Sequence, residues 1–226
     1  MKTRRYSESV RRTSNQLNPD VPNISFRVFF CQILALIQTF IYTTLSENPV
    51  NSMDLEKVEI LSAGAENLAA IRDLASRIWR EYYPAIISDA QIDYMLAQMY
   101  SHDTLRAEIT EQGICYDRML VNGRFVGFAS YGPAAEPGVM KLHKLYLLPE
   151  LHGRGLGSLL LRHCEREARK RGARRLILTV NKRNTRAITA YQRNGFRIAE
   201  LVVTDIGSGF VMDDFVMVLD LPPRPR

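Results

Sequence analysis

The stretch Leu145–Ser158 reads LYLLPELHGRGLGS and decides the fold. An apolar, strand-like segment ends at Pro149, and three glycines two residues apart then open a helix-like segment: Gly153, Gly155 and Gly157. Glycines let the backbone turn tightly so that amide N–H groups converge, and the helix dipole adds partial positive charge at the same point. Such a loop binds phosphate oxygens, so we predict that it holds a pyrophosphate.

The glycine loop differs from two common nucleotide-binding motifs. The Lys-Ser/Thr pair of a P-loop does not follow it, and its Gly-x-Gly-x-Gly spacing is not the Gly-x-Gly-x-x-Gly of dinucleotide-binding folds. The acidic ribose partner of those folds is also missing, because Arg174, Arg175 and Leu176 occupy the corresponding region. A plain connection between a strand and a helix is the alternative interpretation of this loop.

The segments on both sides of the loop alternate between strand and helix patterns. Upstream, the spacing predicts a strand over 55–62, helices over 67–82, 88–100 and 104–111, and strands over 114–121 and 125–131. Asn122-Gly123 joins the last two strands and is typical of a two-residue hairpin. Around and after the loop, we predict strands over 139–148, 176–180, 198–206 and 210–219 and helices over 156–171 and 185–194. This order indicates an α/β (α+β) domain with a mixed sheet.

A second motif, Asn184-x-x-Ala187-x-x-x-Tyr191-x-x-x-Gly195-Phe196, follows the short strand after the loop. With the segment from Leu145, it resembles the GNAT superfamily of acyl-CoA-dependent N-acyltransferases over roughly residues 54–220. Within the superfamily, the chain is similar to uncharacterised bacterial members that end in a strand like 209–217. The resemblance implies a mostly antiparallel twisted sheet flanked by helices, acetyl-CoA as donor and no metal. It also implies direct attack on the donor by a primary amine of a small molecule or peptide.

The resemblance assigns roles to individual residues. It implies that the backbone of the strand from Leu145 pairs with the pantetheine amides and polarises the thioester carbonyl, and that Tyr191 is the general acid. The implied cofactor-binding residues are Leu145, Tyr146, Leu147, His152, Gly153, Arg154, Gly155, Leu156, Gly157, Ser158 and Asn184. The sequence departs from the family at His152, where Gln or Arg is usual, and at Thr179, where some members carry a Glu base.

The chemistry requires a proton donor and a proton acceptor. An alkylammonium titrates near about 10.4 and a thiol near about 8.5, so the amine must lose a proton and the departing sulfur must gain one. Tyr191 shares a helical face with Asn184 and can supply the donor, with a core tyrosine as the alternative. The proton acceptor stays open among six residues: His143, Tyr146, Glu81, Tyr82, Asp213 and Asp214.

Two of these acceptor pairs depend on strand geometry. His143 and Tyr146 point to opposite faces under strict alternation, unless a bulge intervenes. The pair Asp213-Asp214 on the last strand is more typical of a solvated edge. An Asp that faced the cleft instead would select a cationic amine.

Composition and charge exclude several classes of protein. The 226 residues include 46% apolar and 24% charged side chains, which excludes collagen-like, disordered and polytopic membrane chains. Three scattered cysteines favour a reducing compartment. Much of the net charge of +6 comes from twelve basic residues, opposed by two glutamates, within residues 162–197: Arg162, Arg166, Arg169, Lys170, Arg171, Arg174, Arg175, Lys182, Arg183, Arg186, Arg193 and Arg197.

This basic region suits the 3′-phosphorylated ADP of CoA. Binding of nucleic acid is disfavoured because the region lacks an aromatic stacking platform of the kind that single-strand binders use. A non-catalytic acyl-CoA-binding or sensing module is the remaining alternative to an enzyme. The amine that accepts the acetyl group stays open among polyamines, amino sugars, antibiotic amines and peptide amines. The usual oligomeric state of the family favours a homodimer.

We predict an extension over residues 1–52 and an N-acetyltransferase domain over 53–226. The extension is basic at first and then apolar over 24–45, the only segment through which membrane contact is predicted. An anchor, a signal-like segment and a misassigned start before Met53 are its three interpretations. Because the predicted donor is cytosolic, we predict a cytoplasmic protein.

Overall fold

A seven-stranded sheet runs through residues 57–222, the part of the chain that the computed structural model describes. Its strands are β1 (Val58–Ala63), β2 (Cys115–Val121), β3 (Arg124–Pro133), β4 (Val139–Leu147), β5 (Arg175–Asn181), β6 (Arg197–Gly207) and β7 (Phe210–Asp220). They lie in the order β1-β2-β3-β4-β5-β7-β6, and only β4 and β5 are parallel neighbours. The predicted mixed, mostly antiparallel fold is therefore confirmed, whereas the predictions for residues 1–52 fall outside the described residues.

Five α-helices accompany the sheet in the described residues: α1 (Leu68–Tyr82), α2 (Asp89–Met99), α3 (His102–Thr110), α4 (Leu156–Lys170) and α5 (Thr185–Arg193). Ser88 begins α2 by accepting a hydrogen bond from the Gln91 amide. Ser101 caps α3 in the same way, so that helix begins two residues before the predicted Thr104. Within residues 57–222, no helix combines the length and apolar composition needed to cross a membrane.

The helices cover both faces of the sheet. Neighbouring residues of a strand point to opposite faces. On β2, the Tyr116 hydroxyl contacts Glu108 of α3, whereas Asp117 accepts a hydrogen bond from His163 of α4 at 2.6 Å. Therefore α3 and α4 pack on opposite faces, with apolar side chains buried between each helix layer and the sheet.

Three local features position the site. Asn122 and Gly123 both have positive φ, of 51° and 78°, which confirms the predicted hairpin turn between β2 and β3. The β3–β4 register passes from Ser130↔Lys144 to Tyr131↔Leu142, so His143 lies in a bulge of β4. Strand β4 pairs with β5 only as far as Leu142↔Leu178, although both strands continue. The two parallel strands therefore separate beyond Leu142 and leave a gap.

The predicted solvated edge at Asp213-Asp214 is wrong. Strand β7 lies between β5 and β6, and β6 forms the edge of the sheet. Asp214 pairs with Asn181 of β5 on one side and Val202 of β6 on the other. The last strand of the sequence is thus an interior strand, and Asp214 is only 4% exposed.

Candidate active site

A cavity of about 880 Å³ occupies the gap between β4 and β5. Its walls come from β4, from the ends of β5 and β7, from the end of α1 and from α5. The predicted site residues that line it are Leu145, Tyr146, Leu147, His152, Gly153, Gly155, Gly157, Ser158, Asn184 and Tyr191. Residues predicted from two separate motifs therefore share one cavity.

The strand gap provides the groove of the cavity. Beyond Leu142, the backbone of β4 has a ladder with β3 but none with β5. Leu145, Tyr146 and Leu147 lie in this segment and line the cavity. A linear group that carries amides could pair with the free edge of β4 as a further strand would. The pantetheine arm of CoA is such a group, so the gap fits it.

The glycine loop closes one end of the cavity. Gly153 and Gly155 have φ of 85° and 79°, in the left-handed region that favours glycine. Gly155 precedes the first residue of α4, and within residues 57–222 no side chain caps the helix there, so no side chain satisfies its first amides. This end of α4 fits a pyrophosphate. Of the other predicted loop residues, Arg154 does not line the cavity, and the Leu156 side chain is buried in the core.

His152 connects the loop to the end of β4. Its Nε2 lies 3.0 Å from the Leu147 carbonyl oxygen, which can only accept, so Nε2 carries the hydrogen. Burial lowers the pKa of His152, which favours the neutral ring. The buried Nδ1 has no partner and is then an acceptor, unsuited to phosphate. The geometry therefore favours His152 as a positioning residue where the family usually has Gln or Arg.

Asn184 and Ser158 are held by local hydrogen bonds. The Asn184 Oδ1 caps α5 by accepting from the Ala187 amide at 3.2 Å, and it also accepts from the Tyr82 hydroxyl at 3.1 Å. The Ser158 hydroxyl accepts from Asn194 at 2.9 Å and so joins α4 to α5. Both residues still line the cavity, and their predicted contacts with the cofactor stay predictions.

Tyr191 projects from α5 into the cavity. Its ring packs 5.8 Å from that of Phe196, which follows the helix. Burial raises the pKa of the Tyr191 phenol above its usual value, so the hydroxyl keeps its proton at neutral pH. The arrangement provides a protonated donor on the cavity wall.

The cavity contains four of the six proposed proton acceptors. His143, Tyr146, Tyr82 and Asp214 line it, whereas Glu81 and Asp213 do not. The bulge at His143 therefore allows both His143 and Tyr146 to reach the cavity. Burial raises the pKa of both tyrosines, so neither is a base at neutral pH.

His143 and Asp214 remain as candidate proton acceptors. Burial, followed by the charges of Lys141 and Lys144, lowers the pKa of His143 to about 4. Burial, followed by the charge of Asp213, raises the pKa of Asp214 to about 6. Near pH 7, His143 is therefore neutral and Asp214 is largely ionised. Within residues 57–222, neither the buried His143 Nε2 nor the buried Asp214 Oδ1 has a hydrogen-bond partner.

A buried ion pair in the cavity wall escaped the sequence analysis. Lys144 of β4 lies 2.6 Å from Glu108 of α3 and is also stacked over the rings of Tyr100 and Tyr116. Both charges line the cavity and neutralise each other. A lysine next to the apolar run that begins at Leu145 was the available signal, but its partner lies 36 residues away.

Two residues of the basic region, Arg186 and Arg193, line the cavity. Arg186 lies in the first turn of α5, and Arg193 is its last residue, next to Asn194, which donates a hydrogen bond to Ser158 of α4. These arginines are suited to phosphate groups of the donor. Among residues 57–222, no group of three His, Cys, Asp or Glu side chains is arranged to hold a metal ion.

His143 and Asp214 should change the pH dependence of folding stability in opposite directions. The folded-state pKa of His143 lies below its usual 6.5, so the unfolded state binds more protons between about pH 4 and 6.5, and stability rises with pH there. The folded-state pKa of Asp214 lies above its usual 3.8, so stability falls as pH rises toward 6. Each slope is at most about 1.4 kcal/mol per pH unit, and less for partly exposed His143 because solvent screens its charge.

Urea unfolding at pH 4, 5, 6 and 7 checks this prediction. The free energy of unfolding of the wild type minus that of His143→Gln should rise with pH. The same difference for Asp214→Asn should fall with pH. Differences from the wild type that do not change with pH in either variant would contradict it.

The comparisons with known proteins agree with this geometry. The model of the Acetyltransferase (GNAT) family matches residues 68–196, more than half of the chain. Spermidine N(1)-acetyltransferase from Thermoplasma acidophilum is 28% identical over 160 residues, which cover 69% of this chain and 96% of that protein.

Solved structures show the same fold. PaiA N-acetyltransferase from Thermoplasma acidophilum, crystallised with coenzyme A, has a TM-score of 0.63 at 25% identity, over 73% of this chain and 99% of that one. Ribosomal-protein-alanine N-acetyltransferase from Brucella melitensis has a TM-score of 0.56 at 25% identity, over 72% and 99%. The gap between β4 and β5, the glycine loop and the family match lead to one conclusion: this chain is an acyltransferase that belongs to the GNAT acetyltransferase family.

Proposed function

We propose that the protein transfers the acetyl group of acetyl-CoA to a primary amine by direct attack in a ternary complex. The observation that carries this proposal is the strand gap, because it opens into one cavity with the glycine loop and with Tyr191. The free edge of β4 would hold the pantetheine arm, and the first amides of α4 would hold the pyrophosphate. The bound donor supplies a thioester whose carbonyl carbon accepts the amine.

The chain's own residues would provide the proton transfers and the charge stabilisation. Backbone N–H groups of residues 145–147 would bind the carbonyl oxygen as negative charge develops, a contribution of about 3 kcal/mol per donor. Tyr191 would donate its proton to the departing sulfur. The proton of the incoming amine would leave through the side of the cavity that holds neutral His143.

Relatives suggest two classes of acceptor. The relatives named above are a spermidine acetyltransferase and a ribosomal-protein-alanine acetyltransferase, so a small polyamine and a peptide amine are both proposed acceptors for this chain. Since acetyl-CoA is a cytosolic metabolite, the proposal places the enzyme in the cytoplasm. A non-catalytic acyl-CoA sensor is the alternative, and it predicts donor binding without turnover.

Calorimetric titration of the full chain with acetyl-CoA tests the proposal. We expect saturable binding, weakened roughly tenfold in dephospho-CoA because a charge-assisted contact to the 3′-phosphate is lost. An amine panel with detection of free CoA thiol should then show turnover. Binding without turnover of any amine would favour the sensor, and no binding by the folded protein would overturn the proposed function.

A further inference from the structure

Asp214 is a buried carboxylate in the wall of the cavity. It is 4% exposed, it lines the cavity, and its Oδ1 has no hydrogen-bond partner among residues 57–222. None of the ion pairs among residues 57–222 includes it. Its neighbour Asp213 points to the opposite face of β7 and is paired with Lys182. The two adjacent carboxylates therefore differ: one is neutralised by the chain and the other is not.

An uncompensated buried carboxylate is costly, because burial removes water without supplying a countercharge. Lys141 also lines the cavity but forms no ion pair with Asp214 and only lowers the pKa of that carboxyl from a distance. The buried lysine of the wall, Lys144, is already neutralised by Glu108. Within the described residues, the charge of Asp214 is thus left for a ligand to neutralise.

The cavity wall that includes Asp214 also carries apolar side chains. Met212 lies two residues before it on the same face of β7, and Ile87 and Met95 complete this part of the wall. Such a wall suits a hydrocarbon chain, whereas the carboxylate suits a cation at the end of that chain. The combination fits an alkylammonium group.

The nitrogen that contacts Asp214 is not the one that reacts. A carboxylate favours the charged form of an amine that it binds, whereas attack on a thioester needs the neutral amine. Attack would occur at the strand gap, where Leu145 and neutral His143 lie. An acceptor that serves both positions carries two amino groups joined by an alkyl chain.

We propose, on the basis of the proposed function, that Asp214 is the specificity residue for a diamine or polyamine acceptor. Its carboxylate holds the second, charged amino group while the first amine attacks the thioester. The apolar wall at Ile87, Met95 and Met212 contacts the alkyl chain between them. Peptide amines without a nearby second cation are poor acceptors under this proposal.

A matched pair of amines tests the proposal in the full-length protein: 1,4-diaminobutane and butylamine. We expect kcat/KM of the wild type to be about tenfold higher for the diamine, the size of one charge-assisted contact. Asp214→Asn should reduce this preference to near unity, mainly through a higher KM for the diamine. The matched control Asp213→Asn should keep the preference.

Three results would overturn the proposal: an equal loss for both amines in Asp214→Asn, an unchanged preference for the diamine, or a peptide acceptor preferred by wild type and variant alike. Calorimetric binding of 1,4-diaminobutane provides a readout that needs no turnover. If no amine is acetylated, the proposed function fails, and the binding experiment still decides the role of Asp214. Weaker diamine binding by Asp214→Asn than by Asp213→Asn supports it, and equal binding overturns it.

Discussion

Replacing Tyr191 with Phe is expected to lower kcat by about 10²- to 10⁴-fold, the usual contribution of a general acid. The thiolate that leaves the thioester needs a proton, and the Tyr191 hydroxyl lies in the cavity in its protonated form. The variant keeps the ring that packs on Phe196, so α5 and the donor site should stay in place. Affinity for acetyl-CoA should therefore change by less than about twofold.

Tyr94→Phe is the matched control for this variant. Its hydroxyl donates to the Ile206 carbonyl, and the residue does not line the cavity. Loss of that hydrogen bond should cost about 1 kcal/mol of stability and leave kcat near the wild-type value. Steady-state kinetics, calorimetric Kd for acetyl-CoA and thermal unfolding separate the two effects. A kcat of Tyr191→Phe close to that of Tyr94→Phe would show that Tyr191 only packs against the core.

Local sequence signals were sufficient for the elements and for several residues that line the cavity. A two-residue hairpin turn requires positive φ at two successive positions, and Asn122 and Gly123 both tolerate and adopt this conformation. The glycine loop likewise depends on the conformations of Gly153 and Gly155 themselves. Signals of this kind act over a few residues, so they can be recognised without knowledge of the sheet order.

Pairings between distant segments could not be predicted in the same way. Asp214 is buried because β7 inserts between β5 and β6, which the sequence order of the strands does not indicate. The bulge at His143 depends on the register between β3 and β4, and the Glu108–Lys144 pair joins a helix to a strand. Each feature results from tertiary packing, and Asp214, His143, Glu108 and Lys144 all line the cavity.

The resemblance to a family identified positions but not their local bonding. Asn184 was assigned to the cofactor side, yet its carbonyl oxygen already accepts from the Ala187 amide and the Tyr82 hydroxyl. His152 was assigned a cofactor contact, yet its ring bonds the end of β4. Such hydrogen bonds depend on neighbours specific to this chain, so a motif shared by many chains cannot predict them.

Gly155→Ala should weaken acetyl-CoA binding by roughly ten- to a hundredfold, the loss of about one charge-assisted hydrogen bond. Gly155 has φ of 79°, and an added Cβ would meet no atom within 4 Å. The substitution therefore acts through the backbone alone, because a non-glycine residue disfavours this conformation by about 1–2 kcal/mol. Relaxation of the loop would turn the first amides of α4 away from the pyrophosphate.

Gly172→Ala controls for the strain, since Gly172 follows the other end of the same helix with φ of 76° and equally open surroundings. Both variants should lose similar stability in thermal unfolding, whereas only Gly155→Ala should lose affinity for acetyl-CoA in calorimetry. Equal affinities in the two variants would contradict a pyrophosphate site at this loop. The phosphates of the donor would then be held elsewhere in the cavity, where Arg186 and Arg193 are suited to them.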